Sequence, residues 1–189
     1  MRFAIIVCCV LFLDGCLNTR ATAPSAASPV SVTPSSGIGS AQTFTATYKD
    51  PNGGSQIAEV TLSIMSNKVL PGSRSKWSAN ECLLRYDIAT NAIWLVPNMG
   101  GTWGYRSIVA GSSSTLSNSQ CTVVASGSSA TISGDTVTIN LEVTFSAQFA
   151  GTKQLYIGSE DVNGNWSAGY RRQFGSFTVA AATSPLSRH

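Results

Sequence analysis

From Thr136 to Phe145 the chain alternates without a break. Val137, Ile139, Leu141, Val143 and Phe145 fall on one side, and Thr136, Thr138, Asn140, Glu142 and Thr144 on the other. Strict period two with one apolar face is incompatible with a helix and specifies a half-buried strand. The same test predicts strands at Thr43–Tyr48, Ala58–Ile64, Glu81–Ile88, Asn91–Pro97, Cys121–Ala125, Lys153–Val162 and Gln173–Val179. Breaks rich in Gly, Asn, Asp and Pro separate them, among them Asp50-Pro51-Asn52-Gly53-Gly54, Ser133-Gly134-Asp135 and Asn163-Gly164-Asn165. No segment after residue 30 has a helical period. About eight short strands with such turns predict an all-β, antiparallel two-sheet sandwich over residues 30–180.

The N-terminus reads as an address rather than as structure. Arg2 precedes an unbroken apolar run, Phe3 to Leu13. That run spans about 16 Å as a helix, against roughly 30 Å of bilayer core, and matches the apolar region of an export signal over residues 1–15. It ends in Leu13-Asp14-Gly15-Cys16, which resembles the bacterial lipobox and implies lipidation at Cys16, although Asp14 stands where that pattern has a small or apolar residue. Cleavage after Ala21-Thr22-Ala23 with release, and a retained anchor, are the competing readings. All three place the domain outside the cytosol, lipid-anchored to the cell envelope or secreted. Residues 16–29, rich in Ala, Ser, Thr and Pro, read as a flexible tether, and residues 181–189 as a disordered tail.

Of five cysteines, Cys8 and Cys9 belong to the signal and Cys16 to the lipobox. Cys82 and Cys121 remain as an even pair in an oxidising compartment, and a disulfide between them is expected. Two separate buried thiols are the alternative. On the chain-entropy model the bridge contributes about 4 kcal/mol.

Composition excludes several functions. The 189 residues carry a net charge of +3, with 11% charged, which gives no basic footprint for nucleic acid. The single histidine is His189, at the end of the tail, so a Ser-His-acid triad and most metal chemistry lack a partner. No G-x-S-x-G occurs, and a Ser–Lys pair has Lys49, Lys68, Lys76 or Lys153 to draw on. The acids Asp50, Glu59, Glu81, Asp87, Asp135, Glu142, Glu160 and Asp161 fall mainly at strand edges and turns, where solvated carboxylates are expected. Arg171 and Arg172 read as a solvated pair. These features predict no catalytic residues and no cofactor.

Three sets of residues are candidates for binding. Asp161, Asn163 and Asn165 offer oxygens at the first, third and fifth positions of a calcium loop, but Trp166 replaces the expected glycine and Arg172 the expected glutamate, so a plain hairpin turn competes. Trp103, Tyr105 and Trp166 lie in predicted loops and are candidate contacts for carbohydrate or protein, while Trp94 is expected in the core. The segment Ser66–Asn80, with Lys68, Arg74, Lys76 and Trp77, is a candidate specificity loop.

Several stretches, taken in order, resemble a module of secreted bacterial proteins. They are Ser31-Val32-Thr33-Pro34-Ser35-Ser36-Gly37, Gln42-Thr43-Phe44-Thr45, Asp50-Pro51-Asn52-Gly53, Cys82-Leu83-Leu84-Arg85-Tyr86-Asp87, Leu116-Ser117-Asn118-Ser119-Gln120-Cys121, Phe149-Ala150-Gly151-Thr152-Lys153 and Asp161-Val162-Asn163-Gly164-Asn165-Trp166. The module is an uncharacterised Ig-like, fibronectin type III-like β-sandwich. The resemblance implies that fold and an envelope setting, and it transfers no activity. The resulting expectation is a non-catalytic binding or adhesion module whose partner is an envelope protein or carbohydrate, reaching the membrane only through the lipid anchor. A structural spacer, or an accessory subunit of an envelope assembly, is the alternative.

Overall fold

The computed structural model describes residues 26–66, 81–98, 106–168 and 170–181. Twelve strands build two sheets: β1 Ser28–Thr33, β2 Ser36–Gly39, β3 Ala41–Lys49, β4 Ile57–Met65, β5 Glu81–Asp87, β6 Ala92–Leu95, β7 Ser107–Val109, β8 Thr115–Ser117, β9 Cys121–Ser133, β10 Thr136–Phe145, β11 Gly151–Asp161 and β12 Arg172–Val179. The smaller sheet has the order β1-β3-β10-β9-β8 and the larger β2-β12-β11-β4-β5-β6-β7. Every pairing is antiparallel except β2 with β12. The chain is an all-β two-sheet sandwich, as the alternation predicts.

The core is the set of side chains that period two turns inward. Phe44, Ala46 and Tyr48 of β3 and Val137, Ile139, Leu141, Val143 and Phe145 of β10 face Val60, Leu62 and Ile64 of β4, Leu84 and Tyr86 of β5, and Leu155 and Ile157 of β11. Each large side chain so buried contributes about 1.5–3 kcal/mol. Phe177 closes one end, 5.5 Å from Phe44 and 5.7 Å from Phe145 between ring centroids. At the same end Lys153 bends its amine onto the Ala150 carbonyl at 3.0 Å, over the Phe149 ring, and burial lowers its pKa. Tyr48 crosses the sandwich to donate to the Thr61 carbonyl at 3.0 Å, and burial raises its phenol pKa. A buried hydroxyl needs such a partner.

Cys82 of β5 and Cys121 of β9 are disulfide-bonded, with Cα atoms 5.7 Å apart. Because β5 and β9 belong to different sheets, the bond ties the two layers. Asn118 braces the same corner. Its amide nitrogen donates to the Glu81 carbonyl at 3.1 Å and to that of Val96 at 2.9 Å, and its oxygen accepts from the backbone N–H of Gln120 and Cys121, each at 2.9 Å.

Alternation does not reveal four of the strands. β7 and β8 have three residues each, and β2 is Ser-Gly-Ile-Gly, held by its parallel backbone pairing with β12. β1 begins at Ser28, inside the residues read as tether, and Ala27 just before it is fully buried. β9 also runs on through Ser126–Ser133, which has no apolar face. There it is carried by backbone pairing with β10 across a bulge between Val124↔Glu142 and Ser129↔Asn140. A Cβ at Gly127 would meet the Glu142 side chain, which would have to move aside.

Candidate functional site

The two outer faces differ in kind. On the smaller sheet, successive cross-strand rows read Ser31, Thr47, Thr138, Thr131 and Thr33, Thr45, Asn140, Ser129. Thr45 donates to Asn140 at 2.7 Å and Asn140 to Ser129 at 3.1 Å, so this hydroxyl-rich face is partly satisfied within itself.

The outer face of the larger sheet carries charge, and much of it is buried. One row is Tyr156, Ser63, Leu83; the next is Gly158, Thr61, Arg85, Trp94; the third is Glu160, Glu59, Asp87. The third row sets three carboxylates side by side on adjacent strands, an arrangement that repels unless compensated. Arg85 supplies compensation through an ion pair with Glu59. Burial lowers the pKa of the Arg85 guanidinium, and Glu160, Tyr170 and Asp87 act against that shift. Glu59 is 5% exposed, and its buried Oε1 has no hydrogen-bond partner among the described residues.

The β11–β12 connection folds back as a strap over this face. Asp161 anchors its start, with Oδ1 accepting from the backbone N–H of Asn163 at 2.8 Å and of Asn165 at 2.9 Å, and Oδ2 from the Asn165 amide at 3.0 Å. Burial works to raise the Asp161 pKa, but the donors from Asn165 and Asn163 outweigh it and hold the carboxyl below its usual value. Ser167 N–H donates to the Ser159 carbonyl at 2.8 Å. The Tyr170 carbonyl lies where a Cβ on Gly158 would be, so only glycine at that point lets the strap seat. At the far end Arg171 enters the face, pairs with Glu81 and donates to Ser63 Oγ at 3.1 Å, while Ser63 donates to Glu81. The Trp166 and Tyr170 rings pack against each other, tilted by 43°, with centroids 4.3 Å apart. Burial raises the Tyr170 pKa, Arg171 and Arg85 oppose the rise, and Glu160 and Glu81 add to it.

These positions correct several expectations. Glu59 and Glu81 are not solvated: each is buried against an arginine. Arg172 opens β12 and is exposed, whereas Arg171, at the end of the strap, is only 5% exposed because its side chain crosses the face to Glu81 and Ser63. Trp94 is not in the core. It shares the parity of Arg85, its cross-strand partner, and is half-buried on the outer face, while Ile93 and Leu95 point inward.

Asp161, Asn163 and Asn165 do come together, as a turn whose carboxylate is occupied by N–H donors. Among the described residues no group of three or more His, Cys, Asp and Glu is placed to hold a metal ion. Lys49 pairs with Asp135 at 3.3 Å. Cys16, Lys68, Arg74, Lys76, Trp77, Trp103, Tyr105 and nearly all of the Ser66–Asn80 loop lie outside the described residues. Sequence reasoning missed Glu59, Glu81, Arg85 and Arg171 as a group. The available signal was Glu59, Glu81 and Arg85 at matching parity on predicted neighbouring strands; Arg171 falls outside every predicted strand and carried none.

No protein-family model matches the chain, and no curated protein matches it.

Proposed function

We propose that the protein is a non-catalytic, exported Ig-like binding module that meets an envelope protein or carbohydrate through the strapped face of its larger sheet. The carrying observation is the strap itself, which holds the paired Trp166 and Tyr170 rings in place by a buried ion pair and a glycine-dependent seat. Buried ion pairs are poor stabilisers compared with apolar packing, and one use for them is to specify a single conformation. An aromatic contact that is already ordered loses little entropy on binding.

The strand order supports the Ig-like part of the reading. Taking β1, β3, β10 and β9 as strands A, B, E and D, and β12, β11, β4, β5 and β6 as G, F, C, C′ and C″, gives the order of a variable-type domain. The cystine departs from that pattern, because it joins C′ to D rather than B to F. A disulfide in the mature domain and the apolar leader support export, with Cys16 as the lipid anchor.

The test is a panel of glycans and envelope proteins presented to the wild type, Trp166→Ala and Gly158→Ala. Binding by the wild type that is lost in both variants, with their circular dichroism retained, is the expected result. Binding that both variants keep moves the contact off the strapped face, and a panel with no ligand favours the spacer.

A further inference from the structure

The chain enters the sandwich at a definite end. Ser28, the first residue of β1, pairs with Lys49, the last of β3, and Lys49 pairs on its other side with Thr136, the first of β10. Three turns close that end: residues 50–56 between β3 and β4, 133–136 between β9 and β10, and 161–165 after β11. Backbone bonds lace them together, from Asp50 N–H to the Asp135 carbonyl, Gly54 N–H to the Gly134 carbonyl and Val162 N–H to the Gln56 carbonyl, each at 2.9 Å.

Apolar side chains reach solvent there. Ile132 pairs with the core residue Val137, yet it is 50% exposed, beside Gly54, which has no side chain to cover it. Val162, in the third turn, is 53% exposed, and Val30, in the β1 bulge between Pro29 and Ser31, is 45% exposed. Of the exposed residues in the three turns only Asp135 is charged, and Lys49 pairs with it at 3.3 Å. Asp50 and Asp161 are buried and accept turn N–H groups. Exposed aliphatic side chains with so little free charge suit a boundary between water and an apolar phase.

The sequence brings such a boundary close. Cys16, the expected lipid anchor, precedes Ser28 by twelve residues, which span at most about 43 Å fully extended. Ile38, exposed at the opposite end, pairs with Thr178 and through it with Thr152 at the start of β11, so about 33 Å of strand separates it from Val162. We propose that the turn end docks on the bilayer surface, with Ile132, Val162 and Val30 seated at the head-group boundary, and that this contact holds the lipidated domain upright. Three aliphatic side chains hold weakly by themselves, and a short tether raises their effective concentration at the surface. Glu160 and Asp87, half-buried on the side of the larger sheet, repel anionic lipid, so a zwitterionic bilayer is the fitting surface. The docking rests on the anchor at Cys16, and it sets the strapped face along the side of the upright domain.

The experiment uses the full chain, purified from the membranes of an expressing bacterium and placed in phosphatidylcholine nanodiscs that carry a nitroxide on the lipid head group. Mass spectrometry of the N-terminal peptide first reads Cys16. Methyl-labelled isoleucine then compares the two ends by nuclear magnetic resonance. Ile132 is expected to lose most of its signal to the nitroxide, and Ile38 to keep its own. Val30→Ser/Val162→Ser retains Ile132 as the probe, and with circular dichroism unchanged its signal should recover severalfold. An unmodified Cys16 removes the anchor and the docking together. A lipidated Cys16 with Ile132 and Ile38 affected alike, or both spared, overturns the docking and leaves the anchor standing. Undiminished loss at Ile132 in the folded double variant overturns the seating of the apolar side chains.

Discussion

Arg171, at the end of the strap, pairs with Glu81 on β5, ninety residues earlier in the chain, and both are almost completely buried on what is formally the outside of a sheet. This contact fastens the β11–β12 connection to the face that carries the charged rows. Removing one partner strands the other charge. Glu81→Gln and Arg171→Met should each cost about 3–5 kcal/mol in urea unfolding. The double variant Arg171→Met/Glu81→Leu should recover most of that loss, because apolar replacements need no pairing. Additive losses would show that the pair is not the fastening.

Gly158→Ala tests the seat of the strap. A methyl group there meets the Tyr170 carbonyl, so the strap must lift. The expected cost is about 1–3 kcal/mol, with faster amide exchange confined to residues 162–171. Ser176→Ala, on β12 and away from that contact, serves as the control and should leave exchange there unchanged.

Reduction, or Cys82→Ser/Cys121→Ser, unties the two sheets. Stability should fall by about 4 kcal/mol by chemical denaturation, and the sandwich topology should persist, because the core does not depend on the sulfurs for its apolar contacts. A loss below about 1 kcal/mol would mean that the link does not constrain the unfolded chain as the entropy model requires.

Asp161 gives a pH signature. Its folded pKa lies below the unfolded value of 3.8, so its contribution is complete above that value and is lost as pH falls through the folded pKa. Stability should decline below about pH 4, and Asp161→Asn, already weakened at neutral pH, should show a shallower decline. Identical slopes in the two proteins would remove the hydrogen-bonded carboxylate from the account. Asp135 shifts in the same direction but is solvent-exposed, so its share is small.

Legibility followed the physics. The alternation of Thr136–Phe145 appears unchanged as β10, and the Cys82–Cys121 bridge is the one expected from the even pair of cysteines. Parity also placed Trp94 opposite in sense to Ile93 and Leu95, yet the expectation for a tryptophan in a sandwich outweighed it. β2 and the polar half of β9 were illegible because backbone pairing alone holds them, and pairing leaves no periodic mark on side chains.

The amino-acid order by itself determined which residues share a face and which faces are apolar enough to be pressed together, since both follow from a local two-residue repeat and composition. Only the tertiary structure decided that the charged face of the larger sheet is covered. Glu59, Glu81, Arg85 and Arg171 come from separate strands and a returning connection, and whether water reaches them depends on where that connection lies. No local pattern encodes that position, because it is set by contacts between segments far apart along the chain.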